Sequence, residues 1–160
     1  MLGVLRNIAC NEFLDIELVV RGIGEARLFS LIEEALWSTN EEILLHSLYL
    51  VSNIATGTEM HRSAIMNRQG ILRAIHAHLS HHTPNVRVGA VWAIVNLCHP
   101  PDLGRRRHNE NAQKLRALGI EIKLKEMRDD PSIDVRERVR DALEANFVTD
   151  PAGMPGMFIE

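Results

Sequence analysis

Two aromatic–amide pairs hold the side chains of this chain best suited to recognising something. Trp92 and Asn96 lie one helical turn apart, and Tyr49 and Asn53 repeat that spacing earlier in the chain. An asparagine amide can donate to one peptide carbonyl and accept from one peptide N–H, so a row of amides grips an extended chain without regard to its sequence. Aromatic rings beside the amides clamp aliphatic stems or cations, which supplies preference. On a helix, Val86, Ala90, Ala93, Ile94 and Leu97 share one apolar stripe, and Trp92 and Asn96 fall nearly opposite it. Indole and amide both need partners when buried, so this placement predicts a receiving surface instead of a plain core. Replacing Asn96 with Ala is then expected to weaken segment binding by about 1–3 kcal/mol with little loss of fold.

Other candidate chemistry is thinner. His76, His78, His81 and His82 cluster, and His78 with His82 has helical ligand spacing. With no carboxylate or cysteine neighbouring them, the expectation is a solvated turn and no metal. His46, beside Ser47, reads as packed. No nucleophile–base ordering, phosphate-cradling glycine loop or carboxylate pair stands out, so no catalytic residue and no cofactor is assigned. A metal-dependent enzyme, which would need zinc on the histidine cluster, ranks last. Cys10 and Cys98 sit in apolar helical surroundings and read as small core residues of a reducing compartment.

The chain of 160 residues is long enough for one domain with a substantial core. A net charge of −3 gives no basis for nucleic-acid binding. The one basic run, Arg105 to Arg107, lies beside Pro100, Pro101 and Gly104 and reads as a solvated loop. Neither a signal-peptide pattern nor a membrane-spanning run is present, so the expected compartment is cytosolic or nuclear, with no membrane partner.

What positions the pairs is a repeat. The stretch Glu42 to Ile54 overlays Asn85 to Leu97 at an offset of 43, which puts Tyr49 on Trp92 and Asn53 on Asn96. Asp134 to Ala145 overlays the same stretch at 49, and Gly3 to Ala9 fits its tail, with Asn7 on Asn53 at 46. Gly24, Gly70 and Gly119, spaced by 46 and 49, form an independent series, each expected at a helix end that turns sharply. They separate short helices (Glu12 to Arg21, Glu59 to Gln69, Asn109 to Leu118) from middle helices (Glu25 to Trp37, Ile71 to His82, Ile120 to Asp129). Pro84, Pro131 and the Ser38–Glu42 capping segment mark the starts of the long third helices. The period predicts an all-α solenoid of stacked three-helix repeats. The expected divisions are a partial repeat 1–10, repeats 11–57 and 58–104, a C-terminal capping repeat 105–147 and a flexible tail 148–160. Arg140, Asp141 and Glu144 replace Val91, Trp92 and Val95 in the last unit, which predicts the charged cap.

Gly70 to Ile75, then Val86-Arg87 leading into Ala90-Val91-Trp92-Ala93-Ile94-Val95-Asn96-Leu97, resembles the armadillo repeat over residues 1 to about 147. That resemblance implies a right-handed superhelix whose concave groove holds extended peptides, a role it carries onto Asn53, Trp92 and Asn96, then Tyr49, then Asn7. The run Ala90 to Leu97, Gln113 to Ile120 and Ala142 to Phe147 resembles more narrowly the C-terminal end of the armadillo repeat-containing protein 8 family, the armadillo subunits of the GID (CTLH) ubiquitin ligase. It implies a fragment of a non-catalytic adaptor whose partners are a substrate receptor and other ligase scaffold subunits. The alternative is a nuclear-import type carrier of basic peptides, ranked lower because Arg87 starts the central helix and the acidic residues are scattered.

Overall fold

The structure, a computed structural model, describes Gly3, residues 13–99 and residues 109–147. The expectations for the partial repeat 1–10, for Cys10, for the basic run at 105–107 and for the tail lie outside the described residues. Among the described residues there are nine α-helices and no strand. They run α1 (Phe13–Ile23), α2 (Glu25–Ala35), α3 (Glu41–Ala55), α4 (Glu59–Met66), α5 (Gln69–His78), α6 (Pro84–Leu97), α7 (Glu110–Ala117), α8 (Ile120–Glu126) and α9 (Ile133–Asn146), with a 3₁₀ turn at Met127–Asp129.

Local chemistry explains where these helices start and stop. Asn40 caps α3, its side-chain oxygen accepting from the amides of Glu42 and Ile43, while Glu41 and Glu42 complement the dipole in the first turn. Thr58 and His61 form a reciprocal capping box on α4, with an imidazole where glutamate is usual. Pro84 opens α6, where its missing N–H has no helical partner to lose. Gly24 and Gly119, with φ of 86° and 81°, make the sharp turns expected of them.

Gly70 departs from that series. It lies inside α5, buried, and the Glu33 side chain of α2 occupies the space its Cβ would need. Close approach of two helices, not a turn, therefore accounts for the glycine. The middle helix expected to reach His82 ends at His78, whose ring turns back to bond the Leu36 carbonyl, so His78 and His82 do not share a helix.

The long helices carry the core. Helices α3 and α6 pack together more extensively than any other pair, followed by α6 with α9. Between α3 and α6 a Cβ on Gly89 would stand 3.3 Å from the Leu48 Cβ. The single apolar stripe expected on α6 is too narrow: Val91 and Gly89 are buried as well as Val86, Ala90, Ala93, Ile94 and Leu97. Neighbours on several sides, α3, α5 and α9, produce that burial, which is worth about 1.5–3 kcal/mol for each fully buried Val, Ile or Leu. Polar links then tie each unit to the next. Glu17 meets His61, the Leu36 carbonyl meets His78, Glu41 meets Thr83, Ser52 meets Asn96 and Arg87 meets Asp130, at separations of 42 to 44 residues.

Candidate functional site

Tyr49 and Asn53 on α3, and Trp92 and Asn96 on α6, are all half-buried on adjacent long helices. Asn7, the remaining member of the expected row, lies outside the described residues. Asn96 donates its amide to the Ser52 carbonyl at 3.0 Å and to the Ser52 hydroxyl at 2.9 Å. That carbonyl is available because the last turn of α3 tightens: the Thr56 amide bonds Asn53 instead of Ser52, leaving one of the unpaired carbonyls that end every helix. The expected two-way amide is therefore half-spent. Among the described residues nothing donates to its Oδ1, which stays an acceptor.

Trp92 supplies the complement. No described residue accepts from its indole N–H, and the Tyr49 hydroxyl likewise has no partner among them. One face of the indole is covered, because the Arg138 guanidinium of α9 stands 4.6 Å from the ring centroid. Asp141, at the position where the repeat would place another aromatic, pairs with Arg138 at 3.2 Å. The face thus presents a donor from Trp92 and an acceptor from Asn96, a set that matches the backbone of an extended segment.

Arg87 does not present its charge. It is buried and donates to both Asp130 oxygens at 2.7 and 2.8 Å and to the carbonyls of His81 and His82. Burial pushes the Asp130 carboxyl up, but the bonds from Arg87 and the Ser132 amide and the charges of Arg87 and Arg136 outweigh it. The net effect holds it below the ordinary carboxylate range. Arg87 therefore offers no free positive charge against a cationic ligand, contrary to the expectation from its position.

Among the histidines, His78 is committed: burial lowers its pKa, partly offset by the bond to Leu36. His81 and His82 stack with centroids 4.2 Å apart. No carboxylate neighbours them in sequence, yet Glu41 comes across from α3, so that one donor atom from each of Glu41, His81 and His82 lies within 4.8 Å of the others.

Sequence patterns did not single out Trp37, which is 56% exposed and lines a hollow of about 520 Å³ with Leu31 and Ile43. The available signal was register, since Ile43 is the counterpart of fully buried Val86. On the outer side of α9, Arg128, Arg136 and Arg140 line a groove of about 480 Å³ with Ile133 and Leu143. Among the described residues no helix is long and apolar enough to cross a membrane.

No family model matches this chain. No curated protein matches it either. Solved structures do. A designed armadillo repeat protein in complex with the peptide (KR)4 is 25% identical, covering 88% of this chain and 54% of its own, with a TM-score of 0.75. A second designed armadillo repeat protein is 25% identical over 88% of this chain and 54% of its own, with a TM-score of 0.70. Computationally designed armadillo repeat proteins for modular peptide recognition give 24% identity, 89% and 55% coverage and a TM-score of 0.72. The chain spans about half the length of these structures, and its fold is the armadillo-repeat solenoid.

Proposed function

We propose that this armadillo-fold chain is a non-catalytic protein-binding domain that holds an extended segment of a partner along its long helices. Trp92, Asn96, Asn53 and Tyr49 are the binding residues, and Asn7 joins them on its repeat position in the sequence alone. One observation carries the proposal: the indole N–H of half-buried Trp92 and the amide oxygen of half-buried Asn96, both unpaired among the described residues, belong to side chains one turn apart on α6. In addition, a structural neighbour is a complex with a peptide. We further propose the ubiquitin-ligase setting, with the chain as part of a GID/CTLH-type armadillo subunit in the cytosol or nucleus, docking a substrate receptor and meeting other scaffold subunits. Its support is the resemblance of residues 90–97, 113–120 and 142–147 to that family.

The test is selection of binders from a library of unstructured peptides, followed by calorimetry on variants. Trp92→Ala should weaken a selected peptide at least about tenfold. Ile122→Ala, on an exposed position of α8, should leave it unchanged. Equal affinities for wild type and Trp92→Ala would remove the proposal.

A second function, carriage of basic peptides, is favoured by the guanidinium that Trp92 already stacks against. A basic ligand would compete with Arg138 for the ring. Arg138→Ala would then tighten an arginine-rich peptide, whereas a ligand read through its backbone alone would be indifferent to that change.

A further inference from the structure

At one corner between successive repeats, two imidazoles and a carboxylate converge from opposite sides. Glu41 is the first residue of α3, and His81 and His82 occupy the turn between α5 and α6. The His82 Nε2 stands 3.7 Å from Glu41 Oε2, and all three residues keep a donor atom within 4.8 Å of the others. Ligands about 2.0–2.1 Å from a tetrahedral zinc sit roughly 3.3 Å apart. Closing the set needs up to about 1.5 Å of movement, and both Glu41 and His82 are exposed side chains with room to make it.

Two further features bear on the site. First, Thr83 directs its hydroxyl to Glu41 Oε2 at 2.8 Å and makes no capping bond to its own helix, although it stands at the N-cap of α6. A hydroxyl diverted from a cap to orient a carboxylate is the outer-shell support that metal ligands receive. Second, His78 approaches His81 but is spent on the Leu36 carbonyl, so among the described residues the donor set is two nitrogens and one oxygen.

We infer that Glu41, His81 and His82 form a divalent transition-metal site, zinc by its donor set, that straps the first turn of α3 to the α5–α6 turn. Water completes the coordination at so exposed a place. His81 Nδ1 accepts from the Thr83 amide at 3.1 Å. Ligation through either ring nitrogen gives up that bond, since Nδ1 must then bind the metal or carry the proton. The Thr83 amide therefore reports occupancy.

Zinc titrated into the metal-free full chain, followed by calorimetry and amide NMR, tests this. One saturable equivalent should bind, shift the Thr83 amide and raise the melting temperature. His82→Ala and Glu41→Gln should each weaken binding at least about tenfold, and Thr83→Val about tenfold, as loss of outer-shell support does. Metal-free melts of His82→Ala should match wild type, because that side chain is 83% exposed. Absence of saturable binding, or zinc bound equally well by wild type, His82→Ala and Glu41→Gln, overturns the site.

Discussion

Asn96 of α6 holds the orphan carbonyl of Ser52 on α3, so the amide that marks the candidate face also joins two repeats. Replacement by Ala removes two hydrogen bonds and leaves a carbonyl unpaired beside buried Ser52. Asn96→Ala should therefore cost about 1–3 kcal/mol of stability, read as a lower urea midpoint at unchanged slope. This replaces the expectation of little loss of fold. An unaltered midpoint would show that the link contributes nothing.

Arg87 and Asp130 form a paired charge with side chains 9% and 7% exposed. Removing one partner strands the other, so Arg87→Ala should cost about 3–5 kcal/mol. Because the Asp130 pKa is lowered in the fold, its stabilisation is complete above the ordinary aspartate pKa of about 3.9 and is lost as pH falls through the folded value. The stability gap between wild type and Asp130→Asn should accordingly be constant near neutrality and shrink on acidification below about pH 4. Denaturant melts across that range check it, and a gap independent of pH would contradict the pairing.

Gly89 faces the Leu48 Cβ, an atom fixed to its own backbone. Gly89→Ala should push α3 and α6 apart and destabilise by about 1–3 kcal/mol despite alanine's better helix propensity. A stabilised variant in thermal melts would mean that the helices tolerate wider spacing.

Burial pushes the Cys98 thiol up to about 12. At pH 8 it should resist iodoacetamide in the native protein and react once urea unfolds the chain. Peptide mapping of Cys98 reads this directly, and native labelling would place the thiol outside the core.

The repeat was legible because it recurs in spacing: helix identity, the positive-φ glycines at 24 and 119, and the aromatic–amide pairs all follow from a period in the forties. Contacts one repeat away were not legible, since no local pattern announces them. Gly70 looked like a turn because only the approach of Glu33 distinguishes it. Arg87 looked like a free charge because Asp130 is 43 residues distant. The histidines looked unsupported because Glu41 arrives from the preceding repeat. Asn96 stood out by its spacing from Trp92, but its bond to Ser52 depends on how the end of α3 tightens.

The Trp92 indole N–H offers the most direct measurement. In ¹⁵N-labelled protein, Trp37 and Trp92 give two indole resonances, assigned through Trp37→Phe. Titration with a selected peptide should move the Trp92 resonance as its N–H gains an acceptor and leave that of Trp37 in place. If the peptide binds while the Trp92 signal stays fixed, the partner does not lie along the long helices.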